Sequence, residues 1–180
     1  METTINNKVY TDQKMWFSMW FLGAIVSFGA AFFPMFYRLI ESRNKHRHKD
    51  VEFELNITRY LESIGRETPT KKEQFKPMNS KLWAASIILV IPAFIIVYLL
   101  SRDLIDHERN LDCFLSSTLP ERVFMPQTIP IKTYAVITII TLGVGIVYWL
   151  YKIVNLYNAH YKAHSYADKE IARLMEEKQI

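Results

Sequence analysis

The stretch Trp16-Phe-Ser-Met-Trp-Phe-Leu-Gly-Ala-Ile-Val-Ser-Phe-Gly-Ala-Ala-Phe-Phe-Pro-Met-Phe-Tyr37 contains no charged side chain. At a rise of about 1.5 Å per residue, a helix of this length covers about 30 Å, the thickness of a bilayer's hydrocarbon core. Two similar runs follow at 82–100 and 133–154, the last with Lys152 near its end. The sequence therefore predicts an all-α membrane protein with three transmembrane helices.

The composition agrees with apolar spans joined by polar connections. Hydrophobic residues make up 50% of the 180 residues, yet the mean hydropathy is only +0.01, because apolar and charged segments alternate. The net charge of +4 comes from cations that flank the apolar runs, so we expect no nucleic-acid partner. The single cysteine, Cys113, excludes an intramolecular disulfide.

The distribution of lysine and arginine predicts the orientation. Eleven of these residues lie between residues 38 and 81, but only four lie between 101 and 132. By the positive-inside rule, we expect a multi-pass membrane protein with its N-terminus outside and its C-terminus in the cytoplasm. The predicted order is an external segment 1–15, a span 16–37, a basic cytoplasmic connection 38–81 with an amphipathic helix, a span 82–100, an external loop 101–132, a span 133–154 and a cytoplasmic helical tail 155–180.

The chain also resembles itself at a spacing of 114 residues. Ser27-Phe-Gly29 aligns with Thr141-Leu-Gly143, and the match continues without a gap into the polar flanks. This pattern predicts a parallel internal repeat of a span followed by a cytoplasmic amphipathic helix. In the first copy, a β-strand over 51–57 is an alternative, because apolar and polar residues alternate there.

A resemblance to a known group rests on the segment Thr141-Leu-Gly143 with Tyr148-Trp-Leu-Tyr-Lys152. It is similar to the signature of small prokaryotic integral membrane proteins of unknown function that carry a Thr-x-Gly…Tyr-Trp-x-Tyr-Lys segment. The resemblance implies a prokaryotic inner membrane and a helical fold. It implies no activity.

Histidines are the candidate metal ligands. His160 and His164 have the i, i+4 spacing that lets two imidazoles share an ion, and His46 and His48 occupy the equivalent flank of the first copy. Because cations surround them, we interpret these histidines as a solvated flank and expect no metal and no cofactor. His107 lies in an acidic cluster of residues 103–112, which we interpret as a solvated helix start rather than a cation site.

Two further sets of residues suggest partners. We expect anionic lipid headgroups to contact a basic cluster, which consists of Arg38, Arg43, Lys45, Arg47 and Lys49. Small residues are expected to pack helices against other membrane subunits or a second copy; they are Gly23, Ser27, Ala31, Gly143 and Gly145.

The apolar runs hold no Asp, Glu, Lys, Arg or His apart from Lys152 at the end of the third, and no catalytic motif is present. The sequence thus favours a non-enzymatic accessory or scaffolding subunit of a larger membrane complex. The alternatives are a small oligomeric channel or carrier, or a metal-dependent membrane enzyme subunit.

Overall fold

The computed structural model describes residues 12, 14–66, 75–118 and 124–177. These residues form helices and no β-strand. The elements are α1 (Phe17–Val26), α2 (Phe32–Ser63), α3 (Ser80–Ser86), a 3-10 turn (Ile87–Leu89), α4 (Ile91–Thr118), α5 (Ile131–Ile140) and α6 (Gly145–Glu176). The all-α class is confirmed, and the alternative strand at 51–57 is wrong, because α2 continues through it.

Among the described residues, every helix is either too short or too polar to cross a membrane. The prediction of a multi-pass protein of a prokaryotic cytoplasmic membrane is therefore wrong. Each uncharged run is interrupted near its middle, so the apolar part of each helix is much shorter than the run itself. The first run, for example, is divided between α1, a turn and the beginning of α2.

The interruptions in the first and third runs are Schellman turns. After α1, Gly29 donates its backbone N–H to Ala24 O and Phe28 donates to Ile25 O; after α5, Gly143 donates to Thr138 O in the same way. Phe28 and Gly29 both have positive φ values, 51° and 91°, which a continuing helix does not allow. Each turn reverses the chain, so that α1 and α5 fold back along α2 and α6.

The second run is interrupted at Val90, whose φ is 62°. The 3-10 turn ends there, and α4 begins at the next residue, with Pro92 in its first turn. Proline is tolerated at this position because the first helical N–H groups have no intrahelical partner. The second run is thus divided into two helical parts that meet just before Pro92.

The three long helices α2, α4 and α6 run in the same direction. Contacts between α2 and α4 advance together along both helices, from Arg43 with Asp103 to Arg47 with His107. The same holds for α4 and α6, which are joined first through Ser101 and later through Glu108. The result is a parallel three-helix bundle with the short helices packed around its first half.

This arrangement also changes the predicted placement of the connections. Residues 101–118 belong to α4 instead of an external loop, and they pack beside residues 38–63 of α2. Met15 hydrogen-bonds Asn158 through both its N–H and its carbonyl. Segments that were predicted to lie on opposite sides of a membrane, such as those of Met15 and Asn158, are therefore neighbours. Most of the predicted external segment 1–15 lies outside the described residues.

The bundle has an apolar core at each end of a polar layer. The larger core surrounds the first halves of the long helices and includes Met35, Ile96 and Ile153. The smaller core lies near their carboxyl ends and includes Ile57, Leu111 and Ile171. Between the two cores, buried polar side chains face one another, and they form the candidate site.

Candidate metal centre

Each long helix contributes side chains to one buried polar cluster. His46 and Asp50 come from α2, His107 comes from α4, and His164 comes from α6. One ligand atom from each of the four residues lies within 4.8 Å of the others, and all four side chains are buried. The i, i+4 spacing of His46 and Asp50 places both on the same face of α2.

Asp50 is the centre of this cluster. Its side chain is 1% exposed, and His46 Nε2 and His107 Nε2 lie 3.3 and 3.2 Å from Oδ2, while His164 Nε2 lies 3.3 Å from Oδ1. Neither carboxylate oxygen has a hydrogen bond of normal geometry, although imidazole nitrogens lie close to both. A buried ionised carboxylate is costly unless it is paired, so this arrangement calls for a positive charge beside the oxygens. A bound cation would supply that charge, and so would a protonated His164, whose pKa is raised because Asp50 and Asp168 outweigh the effect of burial.

An outer ring of carboxylates faces the other nitrogen of three imidazoles. Asp12 Oδ2 lies 3.1 Å from His46 Nδ1, Asp168 Oδ1 lies 2.9 Å from His164 Nδ1, and Glu108 Oε1 lies 2.7 Å from His160 Nδ1. On His46 and His160 the hydrogen-bonded carboxylate holds the proton at Nδ1 and leaves the Nε2 lone pair facing inward, whereas Asp168 is close to His164 Nδ1 without hydrogen-bond geometry. This is the second-shell arrangement that accompanies metal-ligating histidines.

His107 has a different environment. Its Nδ1 is in close contact with Arg47 Nη1, which can only donate. The Nδ1 lone pair must therefore point to Arg47, and the proton of a neutral ring is on Nε2, facing Asp50. His107 is suited to hold the Asp50 carboxylate in place.

His160 is fully buried and lies at the edge of the cluster. Its Nε2 is 2.7 Å from His46 Nε2. With a proton at Nδ1 on both rings, these two nitrogens would present lone pairs to each other, an arrangement that a cation between them would relieve.

Burial and neighbouring charges shift the pKa values of the cluster. Burial alone would raise the pKa of Asp50, but the imidazoles of His46, His164 and His107 outweigh it and hold that pKa below its ordinary value. Burial lowers the pKa of His46, and burial together with the other imidazoles lowers that of His160 well below its ordinary value. Burial raises the pKa of Glu108 to about 6.

The predicted histidine candidates divide into two groups. His46, His160 and His164 are buried in the cluster, so their interpretation as a solvated flank is wrong. His48 is exposed and packs its ring against Phe75, at 5.4 Å between centroids. His48 faces away from the cluster because it is two residues from His46 on a helix.

The cations predicted to contact headgroups also divide. Arg43 and Arg47 are buried, the first against Asp103 and the second against His107. Lys49 lies 3.4 Å from Asp12, beside the outer carboxylates, while Arg38 and Lys45 are exposed. Arg43 and Arg47 are thus held inside the bundle, and Lys49 lies beside an outer carboxylate; contact of this basic cluster with lipid headgroups stays a prediction.

The small residues predicted to pack helices lie in or beside the Schellman turns. Ser27 Oγ accepts the backbone N–H of Ala31, and a Cβ on Gly23 would lie 3.5 Å from Ala31. Gly143 has φ +97°, and a Cβ on Gly145 would lie 2.8 Å from Thr138 Cα. These contacts are within one chain; packing against another subunit stays a prediction.

Sequence reasoning missed Asp50 and His107 as members of the site. A signal for His107 was present, because Leu100, Leu104, Leu111 and Leu115 continue a helical stripe through it. That stripe indicates an amphipathic helix with His107 on its buried face, where a polar residue requires partners.

Comparison of the chain with protein-family models, with curated proteins and with solved structures found no match. The resemblance to small prokaryotic membrane proteins and the accessory-subunit role therefore stay predictions.

Proposed function

We propose that this chain is a metalloprotein that holds one divalent transition-metal ion in the buried cluster. His46 Nε2, His164 Nε2 and Asp50 are the ligands, and His107 positions the Asp50 carboxylate. The observation that carries the proposal is Asp50 itself, which is buried without a hydrogen bond and faced by three imidazoles at 3.2–3.3 Å.

The chemistry of the donors favours a transition metal over calcium or magnesium. Two imidazole nitrogens and one carboxylate suit Zn²⁺ or Fe²⁺, whereas Ca²⁺ and Mg²⁺ prefer oxygen ligands. Such a set leaves coordination positions open for His160, water or a small substrate. The outer carboxylates of Asp12 and Asp168 favour the neutral tautomer that presents Nε2 to the ion.

An open groove supplies an approach to the centre. Its volume is about 840 Å³, and its lining includes Asp12, Ser42 and Lys49. Asp12 joins the groove to the cluster, because its carboxylate also contacts His46. An ion or a small ligand in the groove would therefore meet a carboxylate next to the innermost imidazoles.

The internal repeat is part of the same proposal. The bounds of α1 and α5 differ by 114 residues, as do the turn residues Phe28 and Leu142. At this spacing His46 corresponds to His160, and Asp50 corresponds to His164. A duplicated hairpin would thus supply two equivalent faces, of which one carries the carboxylate ligand and the other an imidazole ligand.

Metal analysis of the purified full-length chain tests the proposal. After equilibration with Zn²⁺ or Co²⁺ and removal of free ion, the wild type is expected to retain about one ion per chain. His46→Ala and His164→Ala should lower affinity by at least about 100-fold, beyond the 10–100-fold typical of second-shell changes. His48→Ala is the matched control, because His48 is an exposed histidine on the same helix.

The outcomes separate metal binding from a purely electrostatic cluster. Retained ion that is lost in the two alanine variants but not in His48→Ala supports the proposal. A wild-type chain that keeps no stoichiometric ion under these conditions overturns it, and the cluster is then a network of protonated histidines and carboxylates.

A further inference from the structure

The turns that interrupt the three apolar runs lie at the same end of the bundle. Gly29, Val90 and Gly143 have positive φ, and each is followed 17 residues later by a histidine of the cluster: His46, His107 or His160. These imidazoles contact one another, with ring centroids 4.8–5.9 Å apart. Because the long helices are parallel, all three turns lie about 25 Å from the cluster in the same direction.

This apolar end, defined as the turn residues 26–30, 88–91 and 139–144, exposes large hydrophobic side chains. Phe28 is 100% exposed and Leu142 is 96% exposed, while Ile88 is 73% exposed. A Cβ on Gly143 would lie 3.4 Å from Phe94, so the third turn packs beside the first residues of α4, which follow the second turn. Large apolar side chains exposed together at one end of a bundle mark an interaction site.

Cations form a belt behind the apolar end. The distance of each cation from its turn is counted along the chain from Gly29, Val90 or Gly143. It is nine residues for Arg38, Lys81 and Lys152, eleven residues for Lys132 and twelve residues for Arg102. At 1.5 Å per residue these separations are about 14–18 Å. Half of a bilayer's hydrocarbon core is about 15 Å thick, so the belt lies at the depth of the headgroups when the turns reach the middle of the bilayer.

Aromatic side chains lie at the same level as the cations. Trp16, Tyr98 and Tyr151 are all more than one-third exposed, and Lys152 Nζ lies 5.4 Å from the ring centroid of Tyr148. Tryptophan and tyrosine favour the boundary between hydrocarbon and water, and cations favour anionic headgroups. Within the belt, Arg102 already pairs with Asp106. A second copy of the chain would cover the apolar end but would bring no anionic group to Lys81, Lys132 and Lys152.

We propose that the apolar end inserts into one leaflet of a lipid bilayer with anionic headgroups, and that the cation belt contacts those headgroups. The chain enters and leaves from the same side, so no helix crosses the bilayer. The metal centre then lies outside the bilayer, on the far side of the cation belt. This docking surface does not depend on the metal proposal, because it uses different residues at the opposite end of the large core.

Vesicle flotation of the full-length, metal-equilibrated chain tests the docking. The wild type is expected to float with vesicles of phosphatidylcholine and phosphatidylglycerol, and less well with phosphatidylcholine alone. Phe28→Asn and Leu142→Asn remove exposed apolar side chains at positions where positive φ suits asparagine, and each should lower binding by about tenfold. The matched control is Tyr166→Asn, because Tyr166 is 66% exposed near the other end of α6.

The cation belt is tested separately. Lys81→Gln and Lys132→Gln should each lower binding to the anionic vesicles about fivefold and leave binding to phosphatidylcholine unchanged. Unchanged far-ultraviolet circular dichroism and an unchanged thermal unfolding transition show that a variant is folded.

Three results would overturn the proposal. The first is a wild-type chain that does not float with either vesicle. The second is a Phe28→Asn, Leu142→Asn double variant that floats like Tyr166→Asn. The third is a wild-type chain that does not float but forms a dimer in the absence of lipid, when the double variant stays monomeric. The apolar end is then covered by a second copy of the chain.

Discussion

Asp50→Asn changes the charge at the centre of the cluster while it keeps the size of the side chain. If an ion is bound there, the variant loses an anionic ligand, and metal affinity should fall by at least about 100-fold. In the absence of metal, the same change removes a buried carboxylate whose charge the neighbouring imidazoles stabilise, because they hold its pKa below the ordinary value against the effect of burial. The metal-free variant should therefore be less stable than the metal-free wild type, and the test for an ion is how much the stability of each protein rises when metal is added.

The size of the effect follows from linkage between binding and folding. An ion at 100 to 1,000 times its Kd adds about 2.7 to 4.1 kcal/mol to the free energy of unfolding. For a chain of this length, 1 kcal/mol corresponds to about 2–4 °C in Tm. The wild type should thus melt about 5–15 °C higher with metal than after chelation, and Asp50→Asn should show almost no difference.

Thermal unfolding of both proteins, with Zn²⁺ and with chelator, measures these four values. A cluster held only by protonated histidines predicts another result. Removing one partner of a buried ion pair costs about 3–5 kcal/mol, and the loss would be the same with and without metal. Two results together would refute the metal centre: Asp50→Asn is strongly destabilised both with Zn²⁺ and with chelator, and the Tm of the wild type is the same in both conditions.

Three further predictions follow from contacts around the site and in the turns. Asp12→Asn and Asp168→Asn should each weaken Zn²⁺ binding about 10–100-fold by calorimetry, because the two carboxylates orient His46 and His164. Variants that bind Zn²⁺ as tightly as the wild type would exclude that role. Arg43→Met should cost about 1–3 kcal/mol in urea unfolding, less than a fully buried pair because Asp103 is 26% exposed, and Asp103→Asn should recover part of the loss. Gly145→Ala should cost about 1–3 kcal/mol, since its Cβ would lie 2.8 Å from Thr138 Cα; unchanged stability would show that the turn can relax.

The helical nature of the chain was predictable, whereas the length of its apolar helices was not. Run length and amphipathic periodicity correctly indicate helix over most of the described residues. The transmembrane prediction failed because it counted uncharged residues without asking where the backbone can continue as a helix. Ser27-Phe-Gly29 and Thr141-Leu-Gly143 are Schellman sequences, and their repetition at 114 residues was a signal for two turns.

The orientation argument failed for a related reason. The positive-inside rule applies to loops between spans, but most of the residues counted in 38–81 and 101–132 belong to helices that pack side by side. Arg43 and Arg47 are buried by that packing, which sequence position alone does not show.

The metal centre was only partly predictable, because its ligands come from different helices. The spacing of His160 and His164 gave one pair, and the repeat related that pair to His46 and Asp50. No local pattern joins His107 to these residues, since it reaches them through the parallel packing of α4. Charge patterning argued against a site, because the neighbouring cations were assumed to be solvated. Two of them instead face carboxylates, Arg43 at Asp103 and Lys49 at Asp12, and Arg47 contacts the imidazole of His107.

The polar contacts around the centre also fix how the three helices are aligned. Apolar contacts in the two cores are not directional, so a shift of one helix by a turn, about 5.4 Å, would preserve much of the hydrophobic burial. The same shift would separate His160 from Glu108 and Trp149 from Ser101, and each buried group left without its partner costs about 1–3 kcal/mol. The Trp149–Ser101 pair lies outside the candidate site, so part of the alignment that brings His46, Asp50 and His164 together does not depend on the ion.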